Sequence, residues 1–255
     1  MENKNIFPFL AGLIFSLHVQ KAHASEYRDS VPKIDLHYMI SLSGNYTRNG
    51  YEQRMVSTNN YITIQRGMVG FTQALNYQYS VLKSPISAPG MTFLNELQMN
   101  SKIHLNTGKI EPLIIIGYEK SKYRSIINRY FTILGMDYKL VSTKSNHFSV
   151  ILGPSAEAAS YTDGTDYDHL FASLGLRGMH GLDKHKSKLK LYYNTYFFRR
   201  FNENRWRYQG VVTAMYQMLK PVYLTVNMNF SEEKINKSDF YRKNTGISFG
   251  LTYRM

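Results

Sequence analysis

The stretch "PVYLTVNMNF", Pro221 to Phe230, sets Val222, Leu224, Val226, Met228 and Phe230 on one side of an extended chain and Tyr223, Thr225, Asn227 and Asn229 on the other. Successive side chains of a strand point to opposite faces, so the pattern reads as a strand between two different environments. In a soluble sandwich the apolar face turns into a core; in an outer-membrane barrel it turns to lipid. The rest of the chain decides which.

The chain has 255 residues, is 43% hydrophobic and 14% aromatic, and carries 21 Tyr, a composition that favours strands in one sizeable domain. It has no cysteine, which excludes a disulfide framework and a thiol zinc site. Residues 1–24 read as a cleaved export signal: Lys4 near the start, an apolar run from Ile6 to Val19, and Ala22 and Ala24 flanking His23. That run is about 14 residues long and holds Pro8 and His18, too short for a spanning helix. No later segment has the roughly 18 consecutive apolar residues a spanning helix needs.

Lys4, Lys21 and Glu2 leave with the signal, so the net charge falls only from +13 to +12. A basic exported chain suits anionic neighbours such as lipopolysaccharide phosphate, acidic polysaccharide or small anions in a pore. Export and the lack of a basic helix or an aromatic RNA-binding signature argue against nucleic acid. No motif calls for a cofactor.

Twelve alternating segments follow from Ile34. In the first, Ile34, Leu36, Tyr38, Ile40 and Leu42 oppose Asp35, His37, Ser41 and Ser43; in the fourth, Leu97, Met99, Ile103 and Leu105 oppose Glu96, Gln98, Asn100, Lys102 and His104. The others run near 56–64, 69–81, 110–120, 126–140, 147–160, 167–181, 187–198, 205–219, 221–231 and 245 to the end. The fifth is the weakest, being apolar on both sides in "PLIII" and carrying Pro112.

The connections after even segments, "QRGM", "NTGK", "STKSN", "DKHKS" and "LKP", are tight and rich in turn formers. Those after odd segments are longer: "LKSPISAPG", "SYTDGTDYD", "RRFNENR" and "SEEKINKSDFYRKN". Outer-membrane barrels have that asymmetry, with short periplasmic turns and long outer loops. Aromatics also recur eight residues apart on one face, at Tyr208 and Tyr216, with Trp206 on the same face, and at Tyr130 and Tyr138. Eight residues at about 3.3 Å each, tilted near 40°, rise about 20 Å, close to the roughly 25 Å apolar band between aromatic girdles. These features predict an all-β chain: a transmembrane antiparallel up-and-down barrel of about twelve strands over 34–255, with 25–33 a short periplasmic segment. Val222, Leu224, Val226, Met228 and Phe230 then face lipid.

Several blocks resemble the YdiY-like salt-induced outer membrane protein family: "SGN" at Ser43 to Asn45, "GYEKSKYRSIINRYFTILGMDYKLV" from Gly117 to Val141, "LGPSAE" from Leu152 to Glu157, and "GLTY" at Gly250 to Tyr253. The resemblance implies an outer-membrane barrel and assigns no catalytic residue. Such barrels commonly end in an aromatic assembly signal. This chain departs from that in ending Tyr253-Arg254-Met255, with Tyr253 keeping an aromatic on the lipid face.

His147 and Ser149 offer a base and a nucleophile on one strand face, similar to the arrangement in outer-membrane lipid hydrolases. Their alternation with Phe148 and Val150 turns them to the lumen next to a periplasmic turn, away from any outer-leaflet substrate, and no acid orients the base. The chain is therefore read as non-enzymatic. Asp163, Asp166 and Asp168 lack the spacing and distal Glu of a calcium loop, and His37 and His104 lack the spacing of a metal site; no metal is expected.

Lys120, Lys122, Arg124, Arg199, Arg200, Arg205, Arg207, Arg242 and Lys243 fall at the outer ends, interleaved with Tyr123, Phe198, Phe201, Trp206 and Tyr241. Guanidinium forks suit phosphate, so these residues are read as contacts to lipopolysaccharide. Glu96, Lys102, His104, Asp137, Lys139, Arg177, Lys188, Lys190 and Arg254 are read as lumen-lining, either paired into a plug or lining a path that weakly prefers anions.

The expected protein is an outer-membrane barrel of the Gram-negative envelope, possessing a narrow channel for small, weakly anionic solutes. Its expected partners are outer-membrane lipid, lipopolysaccharide and the assembly machinery. The alternatives are a surface adhesin acting through 198–207 and 231–244, and a lipid-modifying enzyme acting through His147 and Ser149.

Overall fold

The computed structural model describes residues 34–48, 52–83, 91–122, 124–143, 145–164, 166–182, 188–201, 205–234 and 241–254. The side chains at 45–48, 52–53, 82–83, 91–94 and 241–244 are outside that description, as are the expected signal and the segment 25–33. The described residues form twelve strands: β1 (Ile34–Arg48), β2 (Glu52–Arg66), β3 (Val69–Lys83), β4 (Met91–Leu105), β5 (Ile110–Ser121), β6 (Ile126–Ser142), β7 (Asn146–Tyr161), β8 (Asp166–Gly181), β9 (Leu189–Arg200), β10 (Trp206–Leu219), β11 (Val222–Lys234) and β12 (Tyr241–Arg254). Every sequential pair is antiparallel, and β1 also pairs with β12, so the sheet closes into a barrel with no free edge. Closure gives every strand a partner on both sides, which a sheet in hydrocarbon requires.

The stretch from Pro221 to Phe230 has the orientation its alternation implied. Leu224 and Met228 are exposed on the outer surface, whereas Thr225 and Asn227 are buried inside. The outer surface is apolar elsewhere too, with Leu36, Leu42, Ile114, Leu134, Leu152, Leu174, Phe249 and Leu251 exposed. In water such a surface would be a broad aggregation-prone patch; in a bilayer it is solvated by acyl chains. Aromatic stacks mark its upper rim, Tyr208 on Phe230 at 5.0 Å and Phe197 on Trp206 at 6.4 Å between ring centroids. Phe148 and Tyr193 lie 6.3 Å apart toward the lower end, where both barrel termini emerge.

Two expectations need correction. The strands run further than the alternating segments, so the upper connections shrink to 49–51, 84–90, 122–125, 162–165, 201–205 and 235–240. Against lower connections at 67–68, 106–109, 143–145, 182–188 and 220–221, the expected contrast in length is slight. Ladder pairing continues above the apolar band because charged and polar side chains are acceptable on both faces once the strand has left lipid. The doubt over the fifth strand also dissolves. Pro112 lies one residue beyond the last β4–β5 pair, His104 with Leu113, so its missing N–H interrupts no ladder on that side.

Glycine is required where strands meet most closely. A Cβ at Gly153 would stand 2.0 Å from the carbonyl oxygen of Leu134, and one at Gly250 would stand 2.0 Å from that of Leu42 at the closing seam. That seam is short, pairing only Met39–Gly44 with Phe249–Arg254.

Candidate functional site

The barrel interior is the site, and its character changes with height. Near the upper end Arg129 of β6 is fully buried. Its Nη1 lies 2.8 Å from Glu119 Oε2 on β5, its Nε 3.2 Å from Glu157 Oε1 on β7, and its Nη2 pairs with Glu233 on β11. Arg207 of β10 places Nη1 2.6 Å from Glu157 Oε2 while its guanidinium lies 4.2 Å from the ring centroid of Phe198 and 5.4 Å from that of Phe131. Arg124 joins Glu96 and Glu119.

Four carboxylates thus face three guanidiniums. The Tyr161 hydroxyl donates to Glu233, and that of Tyr167 donates to Glu157 Oε1 at 2.5 Å, stabilising the excess anion. Isolated charges at such depth would cost several kcal/mol each, and mutual ion pairing is what makes the cluster tolerable. Because β6 and β11 are five strands apart, the Arg129–Glu233 pair crosses the lumen.

Below this cluster lies an apolar layer of Leu113, Ile115, Phe131, Ile133, Ile151, Phe171 and Phe198, with Tyr196 against it. This explains why "PLIII" is apolar on both sides: Ile114 and Ile116 face out, whereas Leu113 and Ile115 pack across the interior. Phe131 meets Phe198 edge-on at 6.0 Å. A second ionic level follows, where Asp137 accepts from Lys102 Nζ at 3.3 Å and from Arg177 Nη2 at 2.6 Å, and Lys139 Nζ lies 2.5 Å from Glu111. At the lower mouth Arg254 donates to the Tyr192 hydroxyl at 2.6 Å, and Lys190 lies within its repulsive field. Neither cation has a carboxylate partner among the described residues. The inward faces of β1, β2, β3, β11 and β12 also carry many small groups, among them Ser41, Ser43, Ser57, Ser80, Thr225, Ser248 and Thr252, beside larger ones such as Met55, Asn227 and Glu233.

The sequence-predicted residues divide as follows. Glu96, Lys102, Asp137, Lys139 and Arg177 point inward and are ion-paired; His104 lies against Gly70; Lys190 and Arg254 line the lower mouth; Lys188 is exposed just before β9. Of the residues expected at lipopolysaccharide, Lys120, Lys122 and Arg199 are exposed at the upper end, and Arg200 and Arg205 are half-buried. Arg124 and Arg207 must be moved: both are buried in the lumenal cluster, as is Phe198, because each occupies an inward position or turns into the barrel mouth. The side chains of Arg242 and Lys243 are outside the described residues. Sequence reasoning missed Arg129, Glu111, Glu119, Glu157 and Glu233. Each sits next to an outward residue, as Arg129 does to Tyr130 and Glu119 to Tyr118, so strand parity was the signal that identifies them.

His147 and Ser149 face inward on β7, and Ser149 is fully buried, so an acyl chain in the bilayer has no approach to its hydroxyl. Asp163, Asp166 and Asp168 are exposed at the upper end. Among the described residues no group of His, Asp or Glu is placed to hold a metal ion.

No protein-family model matches the chain, and no curated protein matches it. Solved structures do. NanC porin superposes with a TM-score of 0.50 at 8% identity, covering 85% of this chain and 100% of that one. The chain has the fold of an outer-membrane β-barrel. An outer membrane channel from Pseudomonas putida F1 matches at 10% identity with a TM-score of 0.45, covering 91% and 98% of the two chains. An anion-selective porin from Comamonas acidovorans gives 7%, 0.40, 88% and 100%. At such identities the likeness concerns the fold.

Proposed function

We propose that this barrel is a passive, non-enzymatic protein of the outer membrane: a narrow, gated channel for small solutes with a weak preference for anions. The observation that carries the reading is the pair Lys190 and Arg254. Arg254 reaches the hydroxyl of Tyr192, two residues along β9 from Lys190, so two cations share the lower mouth without a carboxylate partner among the described residues, a site that an anion stabilises. The upper half is filled, so passage runs along the small hydroxyl-bearing wall of β1–β3, β11 and β12. Those hydroxyls are buried in this closed arrangement, and the path opens when the facing ion cluster loosens. Membership of the YdiY-like family belongs to the same proposal and rests on the sequence blocks alone.

Single-channel recording of the refolded chain in a planar bilayer under a salt gradient tests this, with heat-modifiable gel migration reporting the fold. Small, intermittent, anion-selective openings are expected, and Lys190→Gln with Arg254→Gln moves the reversal potential toward cation selectivity. A folded barrel that is silent at all voltages overturns the channel.

Lys120, Lys122 and Arg199, exposed at the upper end with Phe201, are assigned to lipopolysaccharide phosphate as part of this proposal. Replacing the three cations by Gln lowers retention on lipopolysaccharide-coated beads; unchanged retention removes the assignment.

A further inference from the structure

The outward face is not uniformly apolar. Asn60 of β2 and Gln73 of β3 both point to the lipid side, as their register partners show: Asn60 lies opposite Ile40 and Leu75, and Gln73 opposite Ile62 and Ser101. Gln73 is four residues above Val69, and Asn60 six above Arg66 at the same end of the barrel. With about 3.3 Å per residue and a tilt near 40°, their side chains sit about 10 and 15 Å into a band roughly 25 Å tall, near its middle. Ser101 stands beside Gln73, and Thr58 is on the same face next to Asn60, which extends the patch with two hydroxyls.

Neither amide has a side-chain hydrogen-bond partner among the described residues, and both remain partly accessible. The middle of the outward face of β7–β12 carries no amide among the described residues; Leu152, Leu174, Val212 and Val226 are typical of it. A primary amide left unpaired in hydrocarbon loses several kcal/mol relative to water, and no acyl chain supplies a donor or an acceptor. Asn and Gln each carry a donor and an acceptor, so a patch holding both is complementary to itself under a two-fold axis. One copy's Asn60 then meets the other's Gln73, and the reverse, with the small Ser101 allowing close approach of the walls.

We infer that the β2–β4 wall is an interface with a second copy of this chain, closed by amide hydrogen bonds within the membrane. The inference rests on the membrane reading of the barrel and goes beyond it in naming a partner.

The absence of cysteine makes the test direct. Ser101→Cys and, on the far wall, Val212→Cys are refolded separately into lipid vesicles, treated with a short bismaleimide and resolved by gel. The expected result is a crosslinked species at twice the chain mass for Ser101→Cys and none above background for Val212→Cys. Adding Asn60→Leu and Gln73→Leu to Ser101→Cys leaves a folded, heat-modifiable barrel and lowers the crosslinked yield about tenfold, as loss of one or two membrane hydrogen bonds implies.

Equal yields at the two positions, or a yield unaffected by the Leu pair, overturns the interface while leaving the membrane reading intact. A Ser101→Cys adduct formed in native outer-membrane fragments only with a different protein overturns the second copy as occupant. A chain that fails to float with vesicles overturns both readings.

Discussion

Arg129 on β6 and Glu233 on β11 form an ion pair across the interior of the barrel, joining strands that share no ladder. Arg129 is shared by Glu119, Glu157 and Glu233, so Arg129→Ala leaves Glu233 without a cation in contact, Glu119 with Arg124 alone and Glu157 with Arg207 alone. Removing one partner of a buried pair costs about 3–5 kcal/mol, and the expected outcome is a loss of that size in urea unfolding of the refolded barrel. Glu233→Gln keeps shape and a hydrogen bond to Tyr161, so its stability loss is smaller. On the gating proposal it raises the fraction of time the channel is open in planar-bilayer recording.

Arg207 combines an ion pair to Glu157 with a stacked position over Phe198. Lysine keeps the charge but offers neither the planar fork nor the stacking face. Arg207→Lys is expected to lower stability by about 1–2 kcal/mol, and Phe198→Leu by a similar amount, in the same unfolding assay. In a double-mutant cycle the two losses are less than additive.

The lipid face is tested within the stretch from Pro221 to Phe230. Val226 faces outward four residues above the start of β11, and Thr225 faces inward. Val226→Arg costs about 2–4 kcal/mol near the membrane midplane, whereas Thr225→Ser costs under about 1 kcal/mol. The ratio of folded to unfolded bands in a heat-modifiability gel, followed across urea concentration, separates the two.

Gly153 and Gly246 provide a steric contrast. A Cβ at Gly153 enters the Leu134 carbonyl, a backbone group that cannot move aside, while one at Gly246 meets nothing within 4 Å. Gly153→Ala is expected to abolish the folded band at 37 °C and Gly246→Ala to leave it unchanged.

Asp137 receives both Lys102 and Arg177. Asp137→Asn leaves those two cations without their common anion and makes the lower half of the lumen more positive. On the channel proposal the reversal potential under a salt gradient moves further toward anion selectivity, opposite in sign to the change produced by Lys190→Gln.

Strand identity and parity were legible from alternation, because a strand in a membrane barrel separates two solvents and every residue must suit one of them, whereas the lipid-facing reading also drew on the export signal, the connections and the aromatic spacing. Leu224 against Thr225 states that division as clearly in the sequence as in space, and so does Ile103 against Lys102. The number of strands followed by the same logic. Strand ends did not, since above the apolar band the sequence no longer has to alternate. Hence Arg242 and Lys243 fell outside the last segment, read as starting at 245, although both lie in β12.

The sequence alone determined that the chain is a β-structure whose strands each carry an apolar face and a polar, charged face, since period-2 patterning is local and survives any arrangement of the strands. Only the tertiary structure decided which charges meet. Glu119, Arg129, Glu157 and Glu233 come from four strands, and their partnership depends on the closure and register of the whole barrel, a long-range condition that no local pattern encodes. The same holds for Asn60 and Gln73: each is an unremarkable polar residue along the chain, and strand parity, register and height together place both on the lipid face near the middle of the membrane.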